Sequence, residues 1–561
     1  MSFSLYNFHY QLNIGQSYLM KQYDRKTSTS KTIQFRNISS EQGQRKASSA
    51  LNIPRGTLRY WSERRNEIDL PLEVVDFFES PVGVDFLHQI IVAAILCVNE
   101  IGSCGIRVLC LFLKLSQLDN FVASSLGVIT KKVSEIEYEI IEFEKKEKSR
   151  LAAQMPHKRI TVAEDETFHP HPCLVAIEPV SNFIILEQYS KNRKTDTWNE
   201  LMDNALRELP VKVIQSTSDE GQAIVKHAEE HLLAHHSSDI FHVQYEISKA
   251  TVAPMASKIY HSRKNLDKAK AELQKYQSKT PLSENDKLKT NSLISLIKME
   301  EKKLLNATVN NRNIQIAKKE LGNVYHPYNV ETGTSKDKEQ LNRELRQQIT
   351  TIRTASVQAD LSDASHSKID KAERVFENML ATLTFYWKTV DEYVGMLPDV
   401  NPKLKTLLLN TLIPVNYLQY AAKKEDDKTK SKRIKKQAKT MKLKLESDDT
   451  WKKMTTSQKQ NLTSTAEECA QLFQRSSSCV EGRNGYLSFR HHGLHDIKER
   501  KLKTLTILHN YYIERPDGTT AAERFFGAKP KDLFQHLIDN IELLPRPAKK
   551  GVKRRKAEAV A

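Results

Sequence analysis

The sequence predicts a multidomain α+β protein, with helix-turn-helix modules toward its N-terminus and an α/β core that an all-α insertion interrupts. Three observations carry this. The stretch Ile160 to Glu187 places three β-type apolar runs between turn residues. Residues 251–462 repeat apolar positions every three or four residues, the period of a helix. Near the N-terminus, two short helical patterns meet at a proline and leave a cluster of arginines outward.

A chain of 561 residues is too long for one ordinary domain. An apolar content of 39% and a charged content of 28% describe a soluble protein with modest cores. The longest uninterrupted apolar run, Ile90 to Val98, is too short to span a bilayer, and no basic segment leads an apolar one at the start. No membrane partner and no secretory signal are expected. The six cysteines form no CxxC pair, which points to reduced thiols in the cytoplasm. The net charge of +17 is concentrated: residues 423–444 hold eleven Lys/Arg against three acids, and residues 546–556 hold seven basic residues and no acid. Charge packed this way favours a polyanion, through release of its counterions.

Residues 1–41 show no sustained period and are left unassigned. In residues 42–68, Ala47, Ala50 and Leu51 take helical spacing, and Pro54 suits the first position of a second helix. Leu58 and Trp61 give that helix an apolar face and leave Arg55, Arg59, Arg64 and Arg65 outward. Two short helices with a basic second one fit a helix-turn-helix, in which Arg55 and Arg59 touch DNA. A plain helical hairpin with solvated arginines has the same pattern. Residues 69–150 add a helix pair joined across Pro81 and a second helix-turn-helix pattern, with Gly127 at its turn and Lys131 and Lys132 facing solvent.

Residues 158–250 read as the first part of the core. Three strands end in Phe183 to Leu186, a helix carries Trp198, Leu201 and Met202, and a strand at Val211 to Ile214 leads to Asp219. A further helix and a last strand at Ile240 to Val243 complete it. Three strands, helix, strand, helix, strand is the element order of the RNase H fold. Asp165 falls in the first strand and Asp219 follows the fourth. Neighbours of Asp165 one residue away, Glu164 and Glu166, point to the opposite face of the strand.

With the D-E-T of Asp165 to Thr167, the S-D-E-G of Ser218 to Gly221 and the segment FHVQYEISKA in place, this region resembles the catalytic core of DDE transposases from bacterial insertion sequences. The resemblance implies an RNase H-like core and carries Asp165 and Asp219 to the first two positions of a metal-binding carboxylate triad. The helical insertion at 251–462 is similar to that of hAT-type and some bacterial transposases. Residues 463–545 then supply the last part of the core and place the third acid at Glu481, with Glu246 as its rival and Glu468 behind both. Two Mg²⁺ (or Mn²⁺) ions about 4 Å apart need such carboxylates to activate a water or 3′-OH and stabilise the leaving oxygen.

The same resemblance implies cleavage at transposon ends and strand transfer into target DNA. The implied partner is double-stranded DNA, the assembly a homodimer or a higher synaptic complex, and the place the bacterial cytoplasm at the nucleoid. Arg483, Arg490 and Lys498 are expected to hold phosphates of the DNA end. His491, His492 and His495 are expected in DNA contact or packing rather than on a metal. Trp387 and Trp451 are candidates by residue type for stacking on a flipped base, with core packing favoured for Trp387. Residues 546–561 form a basic tail. Two other readings stay open: a transposase-derived DNA-binding protein without activity, and an RNase H-like nuclease that only hydrolyses.

Overall fold

The computed structural model describes residues 24–168, 171–278, 283–398, 401–494 and 496–548. The protein is mostly helical, with one five-stranded mixed sheet. It divides into two compact units, Met1–Ile140 with Asp532–Ala561, and Ile141–Lys531.

In the first unit, α1 (Arg25–Gln42) occupies a stretch without apolar periodicity. Asp24 starts it, its carboxylate accepting a hydrogen bond from the Thr27 N–H at 2.8 Å. Phe35 and Ile38 give α1 its apolar contacts with Ala47, Ile53 and Leu58, and Lys26 pairs with Asp85 at 2.6 Å while Thr29 accepts from Arg546 at 3.1 Å. Those belong to α2 (Gln44–Leu51), the turn, and α3 (Arg55–Asn66). Asn52 makes the turn in the left-handed region (φ 50°), and the Ser48 hydroxyl donates to the Ile53 carbonyl at 2.7 Å. A short polar side chain tolerates this conformation better than most non-glycine residues.

α4 (Leu72–Phe78) and α5 (Pro81–Ala94) join across Ser80, whose hydroxyl caps α5, and a π-helical turn continues to Ile101. Pro81–Ile101 is long and apolar enough, by length and composition, to cross a membrane. Leu87, Ile91 and Leu96 on it are buried, and so are Asn99 and Glu100 at its polar end. α6 (Ile106–Leu115) and α7 (Leu126–Gln154) follow. The turn expected at Gly127 lies earlier. Gln117 takes the left-handed conformation (φ 58°), Phe121 and Val122 anchor the connection as buried residues, and Gly127 sits in the first turn of α7. A buried apolar pair holds this connection, so its composition did not read as a turn.

The second unit carries β1 (Lys158–Phe168), β2 (Pro172–Glu178), β3 (Phe183–Tyr189), β4 (Val211–Ser218) and β5 (His235–Ser238), in the order β3-β2-β1-β4-β5. β1, β2 and β3 form an antiparallel meander with Asp165 opposite Val175. β4 runs parallel to β1, and β5 parallel to β4. Parallel neighbours need crossovers. α8 (Thr195–Leu206) provides the first, and α9 (Gln222–Lys226) with a π-helical turn to His231 the second.

The strand expected at Ile240 to Val243 is instead the first turn of α10 (Ile240–Gln277), and the last strand is the apolar-poor His235–Ser238. Asp239 decides this: its carboxylate accepts from the Phe241 N–H at 2.7 Å and starts the helix. Ile240, Val243 and Ile247 are therefore a buried helical stripe. α11 (Glu284–Val324) packs along α10. Then come α12 (Lys338–Gln358), α13 (Asp363–Arg374), α14 (Phe376–Gly395), α15 (Pro402–Leu407), α16 (Ile413–Lys424), α17 (Lys428–Ser447), α18 (Asp449–Lys452) and α19 (Thr456–Gln471). One core, with Ile314, Leu345, Phe376, Leu383 and Tyr386 among its members, unites most of this insertion.

The chain then returns to the sheet as α20 (Ser478–Leu494), α21 (Glu499–Tyr511) and α22 (Ala521–Phe526). Ala163, Val175 and Ile177 pack under Val480, Leu487, Leu502 and Leu505. On the other face Leu174, Ala176 and Leu186 meet Trp198, Met202 and Ile224. Strands buried on both faces read as nearly continuous apolar runs, as β2 does. Arg515–Gly518 makes a turn, and the Thr520 hydroxyl caps α22 by accepting from the Glu523 N–H at 3.1 Å. α23 (Leu533–Asn540) belongs to the first unit. All six cysteines are free.

The Asp239→Ala variant should lose about 2–3 kcal/mol of stability in urea denaturation, the sum of a lost cap and a stranded buried donor. Asp239→Asn should recover most of it, since asparagine caps equally well.

Candidate functional site

Asp165 stands on β1 on the side of Ala163, the side that α20 covers. One carboxylate oxygen accepts from the Glu166 N–H at 2.8 Å and the other from the Asn484 side-chain amide at 2.8 Å. Asp219 is the residue after β4. Ala163 is paired with Thr217 in the parallel register of β1 and β4, so the two acids leave neighbouring strands at the same level. An Asp219 oxygen accepts from the Gly221 N–H at 3.0 Å, and a Cβ at position 221 would come within 2.8 Å of that oxygen. A side chain at 221 would therefore push the Asp219 carboxylate out of this position. Glu481 lies in the first turn of α20, and Asn484 follows it by three residues, on the same helical face.

The electrostatics of Asp165 tie these groups together. Burial pushes its carboxyl up to about 6, and the charges of Glu481 and Asp219 push the same way. The Glu166 N–H and His242, from the first turn of α10, pull it down. Acids from the end of β4 and from α20 thus act on the Asp165 of β1, toward the C-terminal ends of two central strands. Glu246, the rival third acid, is paired with Lys249 at 3.2 Å, and Glu468 lies beside Lys158; neither is among the charges acting on Asp165.

Among the described residues no three His, Cys, Asp or Glu side chains close tightly enough on one point to hold a metal ion as they stand. The donor chemistry nonetheless fits a hard cation. Asp165 feels the charges of Asp219 and Glu481, and Asn484, whose amide touches Asp165, has a buried Oδ1 without a hydrogen-bond donor. Oxygen donors alone are the set that Mg²⁺ and Mn²⁺ take.

Residues 408–553, which include α17, Glu481 and Asn484, match a family described as a family of unknown function (DUF6399). That match covers about a quarter of the chain. No curated protein and no solved structure matches it.

Glu164 and Glu166 lie on the opposite face, as strand alternation requires. Glu164 is fully buried, accepts from the Ser216 hydroxyl and lies 3.5 Å from His227. Glu166 accepts from Arg193 at 2.7 Å and from the Trp198 indole at 3.3 Å. Both hold the sheet against its helices.

The basic residues separate into two groups. Arg55, Arg59, Lys131 and Lys498 are exposed, Arg59 in a helical pair with Glu63 at 3.3 Å. Three others expected at DNA are not at the surface. Lys132 is buried, bound to Glu135 and to the Glu542 carbonyl. Arg483 grips Glu187 with two bonds of 2.7 and 2.6 Å, and Thr506 donates to the same carboxylate. Arg490 is fully buried, donating to the Tyr486 hydroxyl at 2.8 Å. A packed helix buries every third or fourth residue whatever its charge, and each of these cations has found a partner on its buried side. Trp387 packs against Tyr328 and Tyr386 and donates to the Lys336 carbonyl at 3.0 Å, while Trp451 lies under Lys459. His491 and His492 are neighbours on α20, and His495 lies outside the described residues. Of the basic tail, Arg546 pairs with Glu79 at 2.6 Å; residues 549–561 lie outside the described residues.

Two residues at the site were not singled out in the sequence. Asn484 was findable from its spacing of three from Glu481. His242 was hidden by the strand expected there.

Two measurements check this arrangement. Arg483→Gln, which leaves Glu187 buried without its cation, should cost about 3–5 kcal/mol in denaturation, whereas Arg55→Gln should stay within about 0.5 kcal/mol. Asp165→Asn should stabilise the protein in EDTA at neutral pH by on the order of 1–3 kcal/mol. The sign follows from the raised carboxyl. The folded state holds the proton more tightly than the unfolded one, so ionisation costs stability as pH rises from the ordinary carboxylate range through about 6. The advantage of the variant should vanish in the acid range, where Asp165 is protonated in both states. An amide at 165 is accommodated because Asn484 can turn its free Oδ1 toward it.

Proposed function

We propose that this chain is a DDE-type transposase of a bacterial insertion sequence, with an RNase H-like core split by the helical insertion. The observation that carries the reading is the placement of three acids far apart in sequence: Asp165 on β1, Asp219 just past the end of its parallel neighbour β4, and Glu481 one helical turn before the Asn484 that binds Asp165. The strand order β3-β2-β1-β4-β5 with an antiparallel meander and two parallel strands supports the RNase H-like assignment. The exposed arginines of α3 and the overall positive charge support DNA as the substrate.

Asp165, Asp219 and Glu481 would hold two Mg²⁺ or Mn²⁺ ions, with Asn484 beside them. Bound metal supplies Lewis acidity for the attacking and leaving oxygens. The chain's own residues supply position. β1 and β4 fix two carboxylates at one level, the Glu166 N–H and Asn484 hold Asp165 in a single orientation, and burial limits water around it. In strand transfer the 3′-oxygen of a transposon end attacks a target phosphorus. A new P–O bond forms, the target P–O3′ bond breaks, and the departing 3′-oxygen takes up a proton. Two ends to be joined call for two such sites, hence a homodimer or a larger synaptic assembly.

The test supplies pre-cut duplexes bearing the DNA termini that flank the coding sequence, with Mg²⁺ and a target plasmid. Joined product is expected from the wild type and none from Asp165→Asn or Glu481→Gln, with end binding kept within a few-fold. Joining that survives in Asp165→Asn would remove the assignment; hydrolysis without joining would point to a nuclease, and binding alone to an inactive descendant. Asn484→Ala should lower the apparent affinity for Mg²⁺ by about 10–100-fold, the usual loss for a group that orients a ligand.

A further inference from the structure

α17 carries an unusual distribution of charge. Its inner face, Ile434, Ala438 and Met441, packs into a small core with Val415, Leu418 and Val330. Its outer face holds Lys428, Lys432, Lys435, Lys436, Lys439 and Lys442, all exposed. Steps of three and four place these six in one continuous stripe, about 21 Å long at 1.5 Å per residue. Among the described residues none of the six forms an ion pair. Like charges at such spacing repel by a few tenths of a kcal/mol per pair. Glu446 lies one turn beyond Lys442 and Glu331 lines a cleft beside Lys436, but no acid interrupts the six lysines, and a stripe so unbalanced is ready for an anionic partner.

We propose that this stripe is a sequence-independent clamp on the phosphate backbone of duplex DNA. Lysines are point charges without the planar fork that reads base edges, so they suit phosphates. Single strands are bound on aromatic platforms, and α17 has no aromatic residue. A membrane surface takes a helix by its apolar face, and the apolar face of α17 is already buried in the protein. A rigid cationic line matches the regular charge of a duplex, one phosphate per 3.4 Å along each strand. The clamp is separate from the carboxylate site and stands whether or not that site is active.

The test is a salt series on the full chain in EDTA, so that divalent ions play no part. Binding to two duplexes of unrelated sequence is followed by fluorescence anisotropy for the wild type and for Lys432→Gln/Lys436→Gln/Lys439→Gln. The slope of log Kobs against log salt should shrink by about 0.9 per lysine removed, equally on both duplexes. Lys→Arg at the same three positions should keep the slope, and Lys439→Gln alone should lose about one such step should the triple variant fold poorly. An unchanged slope in a variant with unchanged melting would overturn the clamp. So would a loss confined to one duplex, to single strands, or to vesicles of anionic phospholipid. Asp165→Asn should leave the slope as it is, which separates failure of the clamp from failure of the catalytic reading.

Discussion

The second unit depends on a small set of buried hydrogen bonds where the helical insertion leaves the sheet and comes back. The insertion departs at Asp239 and returns at Arg475 to Ser477. There the Ile240 N–H donates to the Arg475 carbonyl at 3.1 Å, and the Ser477 hydroxyl donates to the Asp239 carboxylate. Gln215 on β4 adds bonds to the Gln474 carbonyl at 3.0 Å and to Ser237 on β5 at 2.6 Å. Asp239, Gln215, Gln474 and Ser477 are all buried, so each bond replaces one to water that is no longer available. Because exit and entry meet at one point, a long insertion adds its own core without spreading the strands. It also sets where α20 starts, and so where Glu481 and Asn484 lie relative to Asp165.

Alternation along β1 divides labour between consecutive acids. Glu164 and Glu166 face the other way, where Glu164 accepts from the Ser216 hydroxyl with His227 nearby and Glu166 accepts from the Trp198 indole and the Arg193 guanidinium. Asp165 faces α20, where its neighbours are two further acids. A structural site surrounds an acid with donors; this one is given a single side-chain donor and two repelling charges. That imbalance costs stability, and groups kept ionised against their surroundings are typical of sites that bind or transform something. The raised carboxyl of Asp165 is thus the physical mark that separates it from the equally acidic residues on either side.

The parts of the fold that were legible in the sequence are those where one physical pattern dominates. The apolar runs of β1 to β4, the positions of Asp165 and Asp219 relative to them, and the long helices of the insertion all fall in this class. Pro54 announced the α2–α3 turn in the same way. What was missed rests on tertiary context. β5 is four polar residues, stable only because β4 offers a paired edge and the insertion covers it. Ile240 to Val243 has the apolar content of a strand, yet Asp239 ahead of it decides for a helix. α1 is held by two apolar residues that meet α2 and α3, too few to form a period, and by polar contacts of Arg25, Lys26 and Thr29.

Charge was legible as composition but not as role. Arg483, Arg490 and Lys132 look in sequence like any residues of a nucleic-acid surface, and each lies buried against a partner on the fold's inner side. The lysines of α17 look the same in sequence, and their helix turns them outward because Ile434, Ala438 and Met441 take the inward positions. The discriminating feature is the apolar period of the helix that bears the charge. On α17 that period runs through Ile434, Ala438, Met441 and Leu445, with Leu443 exposed outside it, so the cations share the remaining arc. On α20 the glycines at 482 and 485 and the mixed burial of the rest leave no such stripe, and a cation can fall on the packed side. A basic run therefore marks a surface only where the same residues also hold an uninterrupted apolar face for the protein to bury.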